Sequence, residues 1–173
     1  MIKLTLIVAL VASLIATSQA SASSIYPSTL RAPSVTENHI AWAVHNLINK
    51  ERSAHDRAPL KMNNHLRLSA RRHDRRMARY DTLTHQFSWE PYFGQREINA
   101  GYHWTYAGEN IAFNTDMTKA GALLLERLMY HEQAPYNDHR LNILSPHYRA
   151  VGVDVWFDSK HHTLWLTTDF GRH

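Results

Sequence analysis

Two neighbouring segments near the C-terminal end, residues 150–157 and 163–170, do most to limit what this chain can fold into. In the first, Val151, Val153 and Val155 alternate with Gly152, Asp154 and Trp156. In the second, Leu164, Trp165 and Leu166 stand together ahead of Thr167, Thr168, Asp169 and Phe170. β-branched and aromatic residues in runs of this length specify strands, and Asp158, Ser159, Lys160, His161 and His162 between them read as a hairpin connection. A strand with one apolar face can turn its other face to water. These strands are apolar on both faces, so helices must cover the sheet from both sides. The expected architecture is α+β, a three-layer α-β-α sandwich with a small, mainly antiparallel sheet between helical layers.

The helices lie ahead of the hairpin. Ile40, Val44, Leu47 and Ile48 repeat at helical spacing behind Thr36, the expected cap, and Ala58, Pro59 and Leu60 form a turn that tucks Leu60 into the core. A second helix is expected from about residue 64 to 80, with Leu66, Ala70, Met77 and Tyr80 on one face and His73 among them as a hydrogen-bonded core residue. Arg67, Arg71, Arg72, Arg75, Arg76 and Arg79 on this helix read as a solvated face interleaved with Asp74, and no nucleic-acid partner is expected. Residues 96–101 read as a short helix closed by Gly101, and residues 107–113 as partly a strand. A third long helix is expected over about 116–132, with Ala122, Leu125, Leu128 and Met129 inward and a break near Pro135.

The N-terminus carries Lys3, an apolar run from residue 4 to 15, and small residues ending Ala20, Ser21, Ala22. One charge, a short apolar core and an Ala-x-Ala site fit a secretory signal peptide, residues 1–22, and the run is too short to span a membrane. Cleavage there takes 22 from 173 residues to leave 151, with no transmembrane segment, and removes one basic residue, leaving 18 Lys and Arg against 15 Asp and Glu. Residues 23–34, rich in Ser, Pro and Ala, read as an extended lead-in, and residues 35–173 as a single domain. The chain has no cysteine, so packing rather than disulfides must hold an exported fold, and no lipobox exists. The expected location is extracellular or periplasmic.

Thirteen histidines are many for this length. Two polar segments stand out as a shared site: Gly108, Glu109, Asn110, Ile111, Ala112, and His139, Arg140 followed by Asn142, Ile143, Leu144, with His85 at the end of the second helical stretch. Two neutral imidazoles can hold a divalent zinc ion while nearby carboxylates orient the rings or a bound water. The same side chains would also serve as a buried hydrogen-bonded network between layers. There is no Gly-x-Ser-x-Gly elbow, cysteine nucleophile or glycine-rich phosphate loop, and Pro135 stands where the His131-Glu132 pair would need a second histidine for a zinc-protease motif.

In this order, the segments resemble the CAP superfamily, the cysteine-rich secretory, antigen 5 and pathogenesis-related 1 (SCP) domain, in its cysteine-free bacterial form. The resemblance runs from Leu47, Ile48, Asn49, Glu51 and Arg52 through Ala70 to His85, the Gly108 and His139 segments with Pro146, Val151-Gly152-Val153, and Thr168-Asp169-Phe170-Gly171. It implies a cavity tetrad of two histidines and two glutamates. Carried over by position these are His85 and His139, able to bind metal, with the carboxylates Glu109 and Glu132; Glu126, six residues before Glu132, faces elsewhere. The implied function is an exported binding module with a His/Glu cavity able to take zinc and a groove for a lipid, peptide or envelope ligand. Trp89, Tyr92, Trp104 and Tyr136 are the aromatics that would line that groove. The alternative is a zinc-dependent hydrolase, a peptidase or esterase, with Glu109 or Glu132 as general base.

Overall fold

A computed structural model describes residues 30–173, so residues 1–22 and the first part of the lead-in lie outside the described residues. The elements in chain order are α1 (Val35–Ser53), β1 (Lys61–Met62), α2 (Asn64–Tyr80), α3 (Phe93–Asn99), β2 (Tyr106–Asn114), α4 (Lys119–Tyr130), α5 (Asp138–Leu144), β3 (Ala150–Asp158) and β4 (Thr163–Arg172). The sheet runs β1-β3-β4-β2, with β1 parallel to β3 and the other pairs antiparallel. β3 and β4 form the expected hairpin at the centre of the sheet, with helices packed on both faces.

The two faces are built differently. Alternate residues of the hairpin, Val151, Val153, Val155, Leu164, Leu166 and Phe170, meet Ile40, Val44 and Ile48 of α1 and Ala122, Leu125 and Met129 of α4 in one apolar core. The opposite face carries Asp154, Thr167, Asp169 and Glu109, all buried, and only a small apolar cluster of Met77, Ala78, Ile111 and Trp165. α2 answers that polar row. Arg71 is fully buried and donates from Nη1 to Asp154 Oδ2 at 2.9 Å, Arg67 lies 3.7 Å from Asp154 Oδ1, and Thr167 donates to Asp74 Oδ1 at 2.5 Å. Three residues expected on the solvated face of α2 are therefore inside, because the sheet facing them offers carboxylate and hydroxyl rather than hydrocarbon.

Local signals explain the ends. The α1 cap is Ser34 rather than Thr36: its Oγ accepts from Glu37 N at 3.1 Å while Glu37 reaches back to Ser34 N at 2.7 Å, a reciprocal capping box. Glu37 also takes Arg31, Arg71 and the Phe157 amide; burial opposes its charge, but these donors hold its pKa down at about 2. Gly101 closes α3 with φ of +99°. α4 is shorter than expected, and Leu128 points outward at 59% exposure. Leu60 is buried, with its amide and carbonyl clamped by the Asn49 side chain.

Candidate functional site

Strand β2 forms one edge of the sheet, and two consecutive residues on it anchor the two histidines. Glu109 is buried, and its Oε1 accepts from His85 Nδ1 at 2.9 Å while Oε2 takes the Arg96 guanidinium. Asn110, on the opposite face of the strand, donates from Nδ2 to the His139 carbonyl at 3.0 Å. His139 sits in the first turn of α5, where its Nδ1 meets Glu132 Oε1 at 2.5 Å and its amide donates to Glu132 Oε2 at 3.2 Å. The four side chains expected at the site therefore form two His–Glu pairs, both tied to positions 109 and 110.

Two placements differ from the sequence reading. His85 does not end the second helix: α2 stops at Tyr80, and Asp81 reverses the chain with φ of 49°. The loop that carries His85 is held from behind, by Arg96 donating to the His85 carbonyl at 2.7 Å and by buried His73, whose Nε2 donates to the Thr84 carbonyl at 2.7 Å. Glu132 lies beyond α4, one residue past its C-cap His131, rather than on the helix. Glu126 does face elsewhere, fully buried against Glu51 of α1; burial and that neighbour's charge push its pKa well above the usual range.

The motif residues between the histidines act as fasteners. Asn142 donates to Asn110 Oδ1 at 2.9 Å and to the Glu109 carbonyl at 3.3 Å. The Tyr148 hydroxyl lies 3.2 Å from Asn142 Oδ1 and 3.1 Å from the Ala107 carbonyl, one donor between two acceptors. Position 108 must be glycine for this approach, because a Cβ there would stand 2.3 Å from Tyr148 Oη. Arg140 caps α4 through the Tyr130 carbonyl and lies 4.6 Å over its ring, while Arg52 donates to the Ile143 and Ser145 carbonyls at the end of α5. Arg96 and Tyr148 are site residues that sequence reasoning missed, and Arg52, read only as part of the first-helix motif, was given no role at the site. Their partners are mostly backbone carbonyls distant in sequence, and no spacing rule reports such contacts.

The charge behind Glu109 is unusual. Asp169 stands opposite it across the β2–β4 pair, and Glu97 of α3 is buried beside both. No N–H donor among the described residues reaches either carboxyl oxygen of Asp169 or Glu97. Burial, reinforced by the Glu109 charge, pushes Asp169 well above the ordinary carboxylate range; burial with Asp169 and Glu109 nearby pushes Glu97 to about 10. Between the two, burial and the neighbouring charge favour the neutral form of Asp169, while the donors around Glu109 favour its anion. Burial opposes ionisation of Glu109 too, but the His85 hydrogen bond and the Arg96 and His73 charges hold its pKa below the usual value.

An ionised Glu109 accepts from Nδ1–H, which leaves the Nε2 lone pair of His85 outward on a side chain that is 53% exposed. His139, at 30% side-chain exposure, has the same pattern toward Glu132. Among the described residues nothing hydrogen-bonds to either Nε2. Nor do three His, Cys, Asp or Glu side chains converge as a ready metal cluster among them.

The sequence matches the profile of the cysteine-rich secretory protein family, CAP, over residues 45–170. A comparison with curated proteins finds no match. Among solved structures, an extracellular SCP-domain protein of Bacillus anthracis is 23% identical over 83% of this chain and 45% of its own, with a TM-score of 0.66. An outer surface protein of Borrelia burgdorferi is 11% identical over 83% of this chain and 99% of its own, at 0.68. A cysteine-rich secretory protein of Staphylococcus aureus is 16% identical over 83% of this chain and 41% of its own, at 0.57. The chain thus spans less than half of the Bacillus and Staphylococcus proteins, and these likenesses concern the fold.

Proposed function

This chain belongs to the CAP family, and from that premise we propose that it acts outside the cytoplasm as a binding module whose ligand edge is built on His85 and His139. One observation carries the reading: both glutamates are spent on orienting imidazoles. Glu109 has one oxygen on His85 and the other on Arg96; Glu132 has one on the His139 ring and the other on the His139 amide. Each carboxylate oxygen already accepts from a protein donor, which fits orienting the rings better than taking a proton from water and favours the binding reading over the hydrolase alternative. The two outward Nε2 atoms, each with a carboxylate behind its ring, fit the arrangement in which histidine holds a metal.

His85 and His139 would hold a divalent ion such as zinc, which when bound would supply a positive centre for an anionic or carbonyl group of a ligand. Two donors fall short of the three protein ligands of catalytic zinc, so uptake should be weak and exchangeable. The ligand classes consistent with this edge are a lipid, a peptide or an envelope polymer. Export is supported by the signal-like N-terminus and by the likeness to an extracellular and an outer surface protein. Native mass spectrometry in zinc checks the site: the wild type should take up one ion, and a His85→Ala, His139→Ala double variant none. Equal uptake by both would sink the metal reading.

A further inference from the structure

The arginine-rich helix has a property that its sequence conceals. Asp74, the acid expected to interleave with its arginines, is fully buried, and Arg67 and Arg71 turn inward with it. What remains toward solvent is Arg72, Arg75, Arg76 and Arg79, with no acid of α2 among them. Arg72 donates to the Asn99 carbonyl at 3.2 Å and Arg76 pairs with Glu90 at 2.8 Å. Arg75 and Arg79 pair with no carboxylate of the described residues, and Arg79 lies only over the Tyr80 ring, at 5.8 Å.

Two grooves flank these free guanidiniums and share them. One, of about 330 Å³, is lined by Arg75, Arg79, Trp156, Asp158, Lys160 and His161. The other, of about 180 Å³, is lined by Arg75, Arg76, Arg79, Tyr80 and Trp89. Trp89 remains 56% exposed although it stacks on Phe87 at 5.1 Å and 12° and Tyr80 tilts against it at 5.4 Å. The other tryptophan is already occupied, since the Arg31 and Arg71 guanidiniums lie 4.4 and 4.7 Å from the Trp156 ring centre.

We propose that this outer face of α2 is a second binding site, for an acidic polysaccharide, separate from the histidine edge. Guanidinium forks recognise carboxylates, and Arg75 and Arg79, one helical turn or about 6 Å apart along the axis, can meet two acidic groups of one extended chain. The exposed Trp89 indole takes the apolar face of one ring. Single-stranded nucleic acid fits less well, because it needs successive parallel aromatic platforms, and the exposed Tyr80 and Trp89 rings stand at 56° to each other.

The test is calorimetric titration of the folded chain with hexagalacturonate at low salt, beside its methyl-esterified form and a thymidine hexanucleotide. The wild type should bind the acid, not the ester, and bind the oligonucleotide more weakly. Arg75→Ala with Arg79→Ala should weaken binding at least about tenfold and Trp89→Ala about fivefold. The His85→Ala, His139→Ala variant should bind as the wild type, which separates this site from the proposed metal edge. All these positions are at least partly exposed, and circular dichroism verifies that each variant is folded. No binding of hexagalacturonate, arginine or Trp89 variants within twofold of the wild type, or an oligonucleotide that binds as tightly, would overturn the proposal.

Discussion

Replacing Gly108 by alanine is the sharpest perturbation of the scaffold that carries both histidines. The new methyl would lie 2.3 Å from Tyr148 Oη and 2.9 Å from Asn142 Oδ1, far inside ordinary contact. Tyr148 cannot simply swing away: it is 7% exposed and stacks on Phe170 at 5.4 Å. It must retreat by roughly 1 Å to reach ordinary contact, which breaks its hydroxyl contact to the Ala107 carbonyl and loosens Asn142. Overpacking of about 1–3 kcal/mol and one lost hydrogen bond of about 1 kcal/mol put the cost near 2–4 kcal/mol. Tyr148→Phe alone should cost about 1 kcal/mol. In the double variant the nearest clashing atom is gone, so the two costs should fall short of additive by at least about 1 kcal/mol. Urea unfolding at constant m-value measures all four corners of this cycle. Additive costs, or a Gly108→Ala penalty below about 1 kcal/mol, would show that the glycine is not required by the Tyr148–Asn142 approach.

Two other outcomes follow from the same geometry. The histidine tautomers are set by their carboxylates, so long-range proton–nitrogen spectra above the imidazole titration should show Nδ1–H and bare Nε2 at His85 and His139; Nε2–H signals would contradict the assignment. Stability should peak at mildly acidic pH. Glu51 and Asp154 are pushed up to about 7 and Glu97 to about 10 by burial, and Asp74, Asp169 and Glu126 are also raised, so above the unfolded values near 4 the folded chain binds more protons and loses stability as pH rises. Below about 4.5 the sign reverses, because Glu37, Glu90 and Glu109 titrate low and their contribution disappears as they protonate. Urea midpoints from pH 5 to 8 should fall, and fall less in Glu126→Gln; a flat or rising profile refutes the protonated acids.

The hairpin, the long helices and the family were legible because each rests on periodicity or on contiguous motifs. Ile40, Val44 and Ile48 repeat at helical spacing and do reach the core. α5 was not legible: its seven residues supply less than two full turns of pattern. The site histidines and Glu109 could be named from motif position, but their pairing could not, since it depends on Arg96 from a separate helix and on a loop held by His73. The inward turn of Arg67, Arg71 and Asp74 was illegible for a further reason. On a helical wheel charged residues read as solvent-facing, and only the carboxylates on the facing sheet reverse that.

Those carboxylates bear on the feature that constrains the fold most, a hairpin that reads as apolar on both faces and is in fact buried on both but apolar on only one. Such strands are poorly registered by hydrophobicity, because a slip of one residue exchanges two faces that are both acceptable to a core. Asp154, Thr167 and Asp169 remove that degeneracy: a slip would drive them into the hydrocarbon layer of α1 and α4, away from Arg67, Arg71 and Asp74. Buried ion pairs are weak sources of stability, and their best-attested use is to select one arrangement. Arg71→Met alone should therefore be severe at pH 8, about 3–5 kcal/mol, since it leaves a buried ionised Asp154 with only Arg67 beside it, at 3.7 Å. Adding Asp154→Leu should recover part of that loss while producing a second set of cross-strand amide contacts beside the native pairs of Gly152 with Asp169 and Asp154 with Thr167. If the double variant keeps the single native set, the polar row does not choose the register, and the turn at residues 159–162 must do so.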